Sequence, residues 1–374
     1  IASDEEIKGY RETWNNLVKS MEYPSIFLTW EWITTWLDHF GKNYKPIILF
    51  ISDENDIVAI VPLAQRIFTA KNGFINARVV CFCGSMELYP DHLEIICSSE
   101  NSKNANVYIN KMIEFFKNDY TQWDILHLRF LAGDGHLSSW LISAPEKQKT
   151  KLLHRSIAPY ISLKGNININ DFLQRYHHQK RYNLKKGTRI LFKTKNIVMK
   201  RIETIDELKN GLEDLFSLHT ARAHEKGIIS TFKGEVIIEF HRVLSKKFLE
   251  KGWLRLYFLM NGAKAISAVY GFIFGKKFYY YQTGLDPEWQ KYGAGKILIL
   301  KIIEDNIDEG MLEFDFLMGN EDYKSFWTQD YRAMLTFNIY NKNIGGAIEY
   351  WATTTKQILK SILKKTFFLK ERVN

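Results

Sequence analysis

The chain has 374 residues, of which 46% are apolar and 14% aromatic, and its formal charge is +9. That length suits two domains, and the composition excludes a disordered or fibrous chain. No apolar run reaches the roughly 18 residues that a membrane span needs. Three cysteines, Cys81, Cys83 and Cys97, lack a second pair at zinc spacing. They predict a reducing, cytoplasmic setting and no metal. The first residue is Ile1 rather than methionine, so a removed leader stays open. Positive charge gathers in Lys180–Lys200 and Lys356–Arg372, which points to an anionic partner: phosphate, acidic sugar, nucleic acid or membrane surface.

Trp30, Trp32 and Trp36 recur at helical spacing and predict core positions. Two apolar runs, Pro46–Ser52 and Ile57–Phe68, predict a hairpin about the turn Asp53–Asp56. An amphipathic helix follows over Ala105–Lys117, then a strand from Trp123 to Asp134. Next comes a basic helical stretch from a cap at Asn170 to Phe192, followed by helices over 205–226 and 233–252. The first order of elements then returns. Trp253–Met260 and Ala265–Phe274 flank Asn261-Gly262, a third strand runs over Lys277–Gly284, a helix over Gly295–Gly310 and a strand over Leu312–Asn320. The shared order predicts two copies of one α+β fold, each a mostly antiparallel twisted sheet with flanking helices. The expected divisions are 1–164, 165–345 with a helical insert, and a basic amphipathic tail over 346–374.

Gln290-Lys-Tyr-Gly293-Ala-Gly295-Lys296 lies between a strand and a helix. Glycines at a helix start let successive N–H groups face an anion, and the helix dipole favours negative charge there. Lys296 opposes that dipole unless a phosphate sits between them. Gln290, Gly293, Gly295 and Lys296 are therefore the candidate phosphate-binding group.

Gln-x-x-Gly-x-Gly between an antiparallel strand and a helix resembles the pyrophosphate loop of GNAT acyltransferases, which hold acyl-CoA there. The blocks Phe27–Gly41, Ile60–Ala64, Leu218–Gly227, Phe240-His241, Gly284–Trp289, Gly293–Ile299 and Phe314–Trp327 resemble, in order, the CelD/BcsL-type acetyltransferases of bacterial polysaccharide biosynthesis. That family is related to the Fem-type peptidyltransferases, which join two GNAT-like domains. The resemblance spans roughly Phe27 to Tyr350 and implies two tandem GNAT-like domains, acetyl-CoA as acyl donor and direct transfer without a covalent enzyme intermediate. Two departures stand out. Ala294 occupies a position where many members have proline, and Ala223 follows Arg222 where many have tryptophan.

Acyl transfer needs a base for the attacking group and donors for the tetrahedral oxyanion. His219, within the apolar Leu215–Arg222 stretch, can take a proton near neutral pH or can be a bonded helix histidine. Asp315 lies opposite Phe314 and Phe316 on its strand, and either pairs with a cation or acts in the site. In Fem-type relatives a lysine after the final strand is assigned to the oxyanion. Lys324, between Tyr323 and Phe326-Trp327, resembles it in context; the alternative is a solvated lysine. Expected acceptor contacts are Arg181, Arg222, Tyr281, Gln282, Asp286, Tyr323 and Trp327, with Asp286 equally suited to fixing the turn before Pro287.

The expected function is therefore acyl-CoA-dependent N- or O-acylation of a sugar or lipid-linked sugar. The alternatives are a Fem-type transferase using charged tRNA, disfavoured by the lack of a heptad run, and a non-catalytic glycan-binding module. No interleaved aromatic–glycine motif or zinc spacing supports nucleic-acid binding. In the tail, Ile358, Leu359, Ile362, Leu363 and Phe367 form an apolar stripe flanked by Lys356, Lys360, Lys364 and Lys365. Such a helix either docks on the protein or lies on an anionic membrane face.

Overall fold

The computed structural model describes residues 7, 9–54, 56–69, 76–143, 149–165 and 167–355. From the amino end these form α1 (Arg11–Ser20), α2 (Trp30–Phe40), β1 (Lys45–Asp53), β2 (Asp56–Thr69), β3 (Asn76–Phe82) and β4 (Ile96–Cys97). Then come α3 (Ala105–Asn118), β5 (Ile125–Ala132), α4 (His136–Ser143) and β6 (Lys149–Ser162). The middle holds α5 (Ile169–Gln174), α6 (His178–Arg189), β7 (Val198–Arg201), α7 (Ile205–Glu225) and α8 (Glu235–Glu250). Last are β8 (Leu254–Asn261), β9 (Lys264–Phe274), β10 (Lys277–Leu285), α9 (Ala294–Asp308), β11 (Glu313–Asp315), α10 (Asp322–Ser325) and β12 (Tyr331–Tyr340).

The chain divides into two compact units. One holds the residues up to Glu22, Gly41–Arg155 and those from Met334; the other holds Tyr23–Phe40 and Ser156–Ala333. The division falls at Arg155 rather than 164. Tyr23–Phe40 joins the second unit because Trp32 and Trp36 are fully buried there, Trp32 against Phe240 and Phe272. Helical spacing marked these tryptophans as core but could not say whose core. The segment from Met334 belongs to the first unit, where β12 pairs antiparallel with β5 from Met334↔Ala132 to Tyr340↔Ile125. Residues 344–355 are helical, and the tail sequence from Lys356 lies outside the described residues.

In the first unit the strand order is β1-β2-β3-β5-β12, with β4 on β2 and β3 parallel to β5. The hairpin β1–β2 turns where expected, with Glu54 at φ 51°. In the second unit the order is β6-β11-β10-β9-β8-β7, antiparallel except for β10 with β11. Each unit is thus a mostly antiparallel sheet with flanking helices. α9 lays Ile297, Leu298, Ile302 and Ile303 on this second sheet against Phe278, Phe314 and Phe316. Each buried aliphatic side chain there contributes about 1.5–3 kcal/mol relative to exposure. The basic stretch after Lys164 is two helices rather than one. Asn168, not Asn170, caps the first, through a capping box with Asp171.

Two local features open a cleft in the second sheet. β10 pairs with β11 only from Lys277↔Glu313 to Tyr279↔Asp315, after which Leu317 takes φ 58° and the chain departs. β10 itself continues to Leu285, held on one side by β9. Its register with β9 shifts between Tyr280 and Gln282, a bulge at Tyr281 that re-aims the side chains beyond it. Gly284 then lets α7 approach: a Cβ there would meet Leu218 Cβ at 2.5 Å and the His219 nitrogen at 2.9 Å.

Candidate functional site

Two cavities adjoin along the unpaired part of β10. The larger, ≈ 570 Å³, is bordered by Gln290, Gly293, Gly295 and Lys296, with Trp327 at its side. The smaller, ≈ 310 Å³, is bordered by His219, Tyr281, Gln282 and Lys324. Arg222, Lys226, Tyr280, Thr283, Glu321 and Tyr323 line both. Strict alternation would send Tyr280, Tyr281, Gln282 and Thr283 to opposite faces. The bulge is why all four reach one cavity.

The α9 start has the geometry that the glycine spacing predicts. Gly293 sits at φ 72° and its N–H donates to Gln290 O at 2.9 Å, so the turn requires glycine. Gly295 has no such need: a Cβ built there meets only Leu285 Cδ2 at an ordinary 3.8 Å. Glycine in a helix costs roughly 0.5–1 kcal/mol against alanine, and neither backbone angle nor packing explains it here. Room for a close ligand does. The first-turn N–H groups face the cavity end of a helix that has no acidic residue in its first turn. Lys296 lies 4.0 Å from the Phe326 ring, and Lys180 lies 4.2 Å from the same ring and donates to the Phe326 carbonyl. Neither lysine makes an ion pair among the described residues. Burial, with Lys296 nearby, pulls the Lys180 ammonium down to about 8.

In the smaller cavity His219 is held from both ring nitrogens. Nδ1 lies 2.9 Å from Ser230 Oγ, and Nε2 lies 3.1 Å from Gln282 Oε1 and 3.3 Å from Thr231 Oγ1. Burial, assisted by the Arg222 charge, holds its pKa below the ordinary value, so the ring is neutral at pH 7. With Gln282 presenting oxygen, Nε2 carries the proton and Nδ1 accepts from Ser230. Turning the amide over leaves Nε2, the nitrogen beside Gln282 and Thr231, as the acceptor. Burial also raises the Tyr280 and Tyr323 hydroxyls above their usual range, which keeps both protonated.

Lys324 is a buried lysine rather than a solvated one. Its ammonium donates to Leu317 O at 3.2 Å and Met318 O at 2.9 Å and pairs with Glu321 Oε2 at 2.9 Å. These three contacts pin the turn after β11, and Gly319 at φ 138° leaves room for them: its Cβ would meet Glu321 Oε2 at 2.3 Å and Lys324 Nζ at 2.7 Å. One contact must yield before Lys324 can donate to an oxyanion.

Three expected residues fall elsewhere. Asp315 borders neither cavity; it is fully buried, accepts from Leu317 N at 2.8 Å and lies 3.9 Å from Lys277 and 4.0 Å from Arg332. Alternation placed it opposite Phe314 correctly, but that face meets cations from β10 and β12. Asp286 caps the turn before α9, accepting from Glu288 N at 3.1 Å and pairing with Lys264 at 2.7 Å. Arg181 bonds Gln174 at 2.9 Å and, with His178 and Lys185, borders a separate cavity of ≈ 330 Å³. Lys180, one residue earlier, is the α6 side chain that reaches Phe326 beside Lys296. Sequence reasoning missed Thr283, Ser230, Thr231 and Glu321. The first needed the bulge, the next two sit in a loop without periodicity, and Glu321 became legible only through its partner.

Residues 178–325 match the family model described as an acetyltransferase (GNAT) domain. No curated protein sequence matches the chain. Among solved structures it is similar to FemX, at 9% identity and a TM-score of 0.63, covering 89% of this chain and 96% of that one. A conserved protein of unknown function from Bacteroides thetaiotaomicron gives 11% identity and a TM-score of 0.56, with coverage of 89% and 97%. The C-terminal domain of a proposed lysylphosphatidylglycerol synthetase from Agrobacterium fabrum gives 10% and 0.52, with coverage of 94% and 97%. Such identities speak for the fold alone. Over residues 178–325 the chain is similar to the acetyltransferase (GNAT) domain family, and its fold is one that FemX shares over most of its length.

Proposed function

We propose that the protein is an acyl-CoA-dependent acyltransferase, with acetyl-CoA as donor and a sugar or lipid-linked sugar of cell-surface polysaccharide assembly as acceptor. The observation that carries this is the junction of the two cavities: one at an anion-suited helix start, the other with a neutral histidine and a buried lysine. Bound along that line, a thioester supplies an acyl carbon; an amine or hydroxyl adds to it, the C–S bond breaks and the thiol departs with one proton. The α9 N–H groups, with Lys296 and Lys180, hold the donor's phosphates. His219 accepts the acceptor's proton at Nε2 once the Gln282 amide has turned over and its N–H has given way to the acceptor. Lys324, exchanging one of its two turn carbonyls for the oxyanion, stabilises the tetrahedral charge. Holding both reactants in line supplies on the order of 7–11 kcal/mol of barrier reduction, more than the roughly 3 kcal/mol of one oxyanion donor.

Transfer from labelled acetyl-CoA to a panel of amino sugars, neutral sugars and lipid-linked sugars tests the reading, with charged tRNA as a parallel donor. Labelled sugar from acetyl-CoA supports it. Labelled product from charged tRNA alone would replace it with the Fem-type alternative, and no transfer from either would leave a binding module. The basic sequence from Lys356 to Arg372 is proposed to bring the enzyme to an anionic membrane face.

A further inference from the structure

The smaller cavity is unevenly charged. Lys324 and Glu321 neutralise each other at 2.9 Å, which leaves Arg222 and Lys226. Arg222 lies in the last turn of α7, and Lys226, its C-cap, follows four residues later. Neither makes an ion pair among the described residues. For Lys226, exposed at the end of α7, that is ordinary. For Arg222 it is not: the side chain is half-buried, 5.5 Å from the Tyr323 ring, and its guanidinium has no acceptor among the described residues. Its N–H donors are not among the buried unpartnered atoms; they line the cavity, where they can exchange water for an anion.

The position of that charge is built, not incidental. Gly284 seats α7 on β10, and the close approach to Leu218 and His219 fixes the helix turn that carries Arg222. Its field reaches across the cavity: burial lowers the proton affinity of His219 and of Lys226, and the Arg222 charge lowers both further. Glu225 and Glu321 are the acids near Lys226, yet Glu321 is engaged by Lys324 and Glu225 borders only the larger cavity. Arg222 and Lys226 border the larger cavity too, but there the α9 start, Lys296 and Lys180 serve the donor, so what would complete Arg222 is an anion presented from within the smaller cavity. A guanidinium fork matches a phosphate or carboxylate edge on, and an ammonium one turn away adds a point charge. The ≈ 310 Å³ space suits a single sugar ring bearing such a group.

We propose that the acceptor is an anionic sugar whose phosphate or carboxylate is held by Arg222 with Lys226. This rests on the smaller cavity being the acceptor site of the reading above.

Calorimetric titration of the CoA-saturated protein with glucosamine, glucosamine 6-phosphate and glucuronic acid tests it. At least one anionic sugar binds roughly tenfold or more tighter than glucosamine, and Arg222→Gln removes that advantage while acetyl-CoA affinity stays within about twofold; Arg222→Lys restores part of it. The phosphate and carboxylate arms separate the two sources of the anion. Equal or undetectable binding of neutral and anionic sugars overturns the proposal, as does an Arg222→Gln variant that loses acetyl-CoA instead. Failure of acetyl-CoA itself to bind the unmodified protein is a different result, and it removes the donor reading.

Discussion

At the scale of single residues, the least expected finding is how thoroughly His219 and Lys324 are engaged. His219 must have Nε2 unprotonated to act as a base, and the Gln282 amide can present either oxygen or N–H to it. Gln282→Glu, which can only accept, fixes the proton on Nε2 and raises the imidazole pKa. Turnover should fall by about 10²-fold with donor affinity unchanged, read from steady-state kinetics. Because burial lowers the His219 pKa, the acid limb of the kcat/KM profile should lie below the ordinary 6.5 of histidine. A limb above that value would remove His219 from the base role. Lys324→Met should lower kcat by about 10² and also destabilise the fold by roughly 1–3 kcal/mol, since the Leu317 and Met318 carbonyls lose their donor. A stability loss with full turnover would make Lys324 a turn-holding residue alone.

Secondary-structure elements carry most of what the sequence made legible. Periodicity gave the β1–β2 hairpin, α7, α8, the strands β8–β10 and α9 closely, because α7 and α8 each bury one apolar face and β9 and α9 read as near-continuous apolar runs. It also marked Gln290–Lys296, since a glycine turn before a helix has a local cause. What it could not give were pairings made at long range. β12 and β6 joined no predicted pattern, and the bulge at Tyr281 depends on what lies across the sheet. Asp315 shows the same limit: its face of the strand was readable, but Lys277 and Arg332 come from other strands. Gly284 offers a test at this scale. Gly284→Ala places a methyl on the α7 backbone at 2.9 Å or less, so the helix must shift. Chemical denaturation should show a loss of about 1–3 kcal/mol. Unchanged stability would mean that α7 is not seated as described.

For the whole molecule, the two units should respond to pH in opposite directions. His241 in the second unit is fully buried and held down to about 3. Unfolded imidazole takes a proton near 6.5, so the second unit is fully stable above that value and weakens as pH falls towards 3. Glu94 in the first unit is buried, accepts from Ile95 N and Leu137 N, and is pushed up to about 7. Its contribution is complete below about 4.5 and is lost as pH rises through 7, on the order of 3 kcal/mol in all. Denaturation at pH 5 and pH 9 should show Glu94→Gln removing the alkaline weakening of the first unit alone. Sedimentation with anionic liposomes tests the tail: salt-sensitive binding that vanishes on truncation after Tyr350 supports membrane contact, and no binding by the full chain contradicts it. The turn Asn101–Asn104 before α3 holds no glycine, unlike that before α9, so a single donor per chain is expected. Calorimetric titration with acetyl-CoA, on the unmodified protein and on Gly295→Val, tests whether the donor sits at the start of α9. The space around Gly295 tolerates a side chain, so the variant should keep its fold and thermal midpoint while affinity falls roughly tenfold or more from a stoichiometry of one. Unchanged affinity in a folded Gly295→Val protein would contradict the placement of the donor at the start of α9.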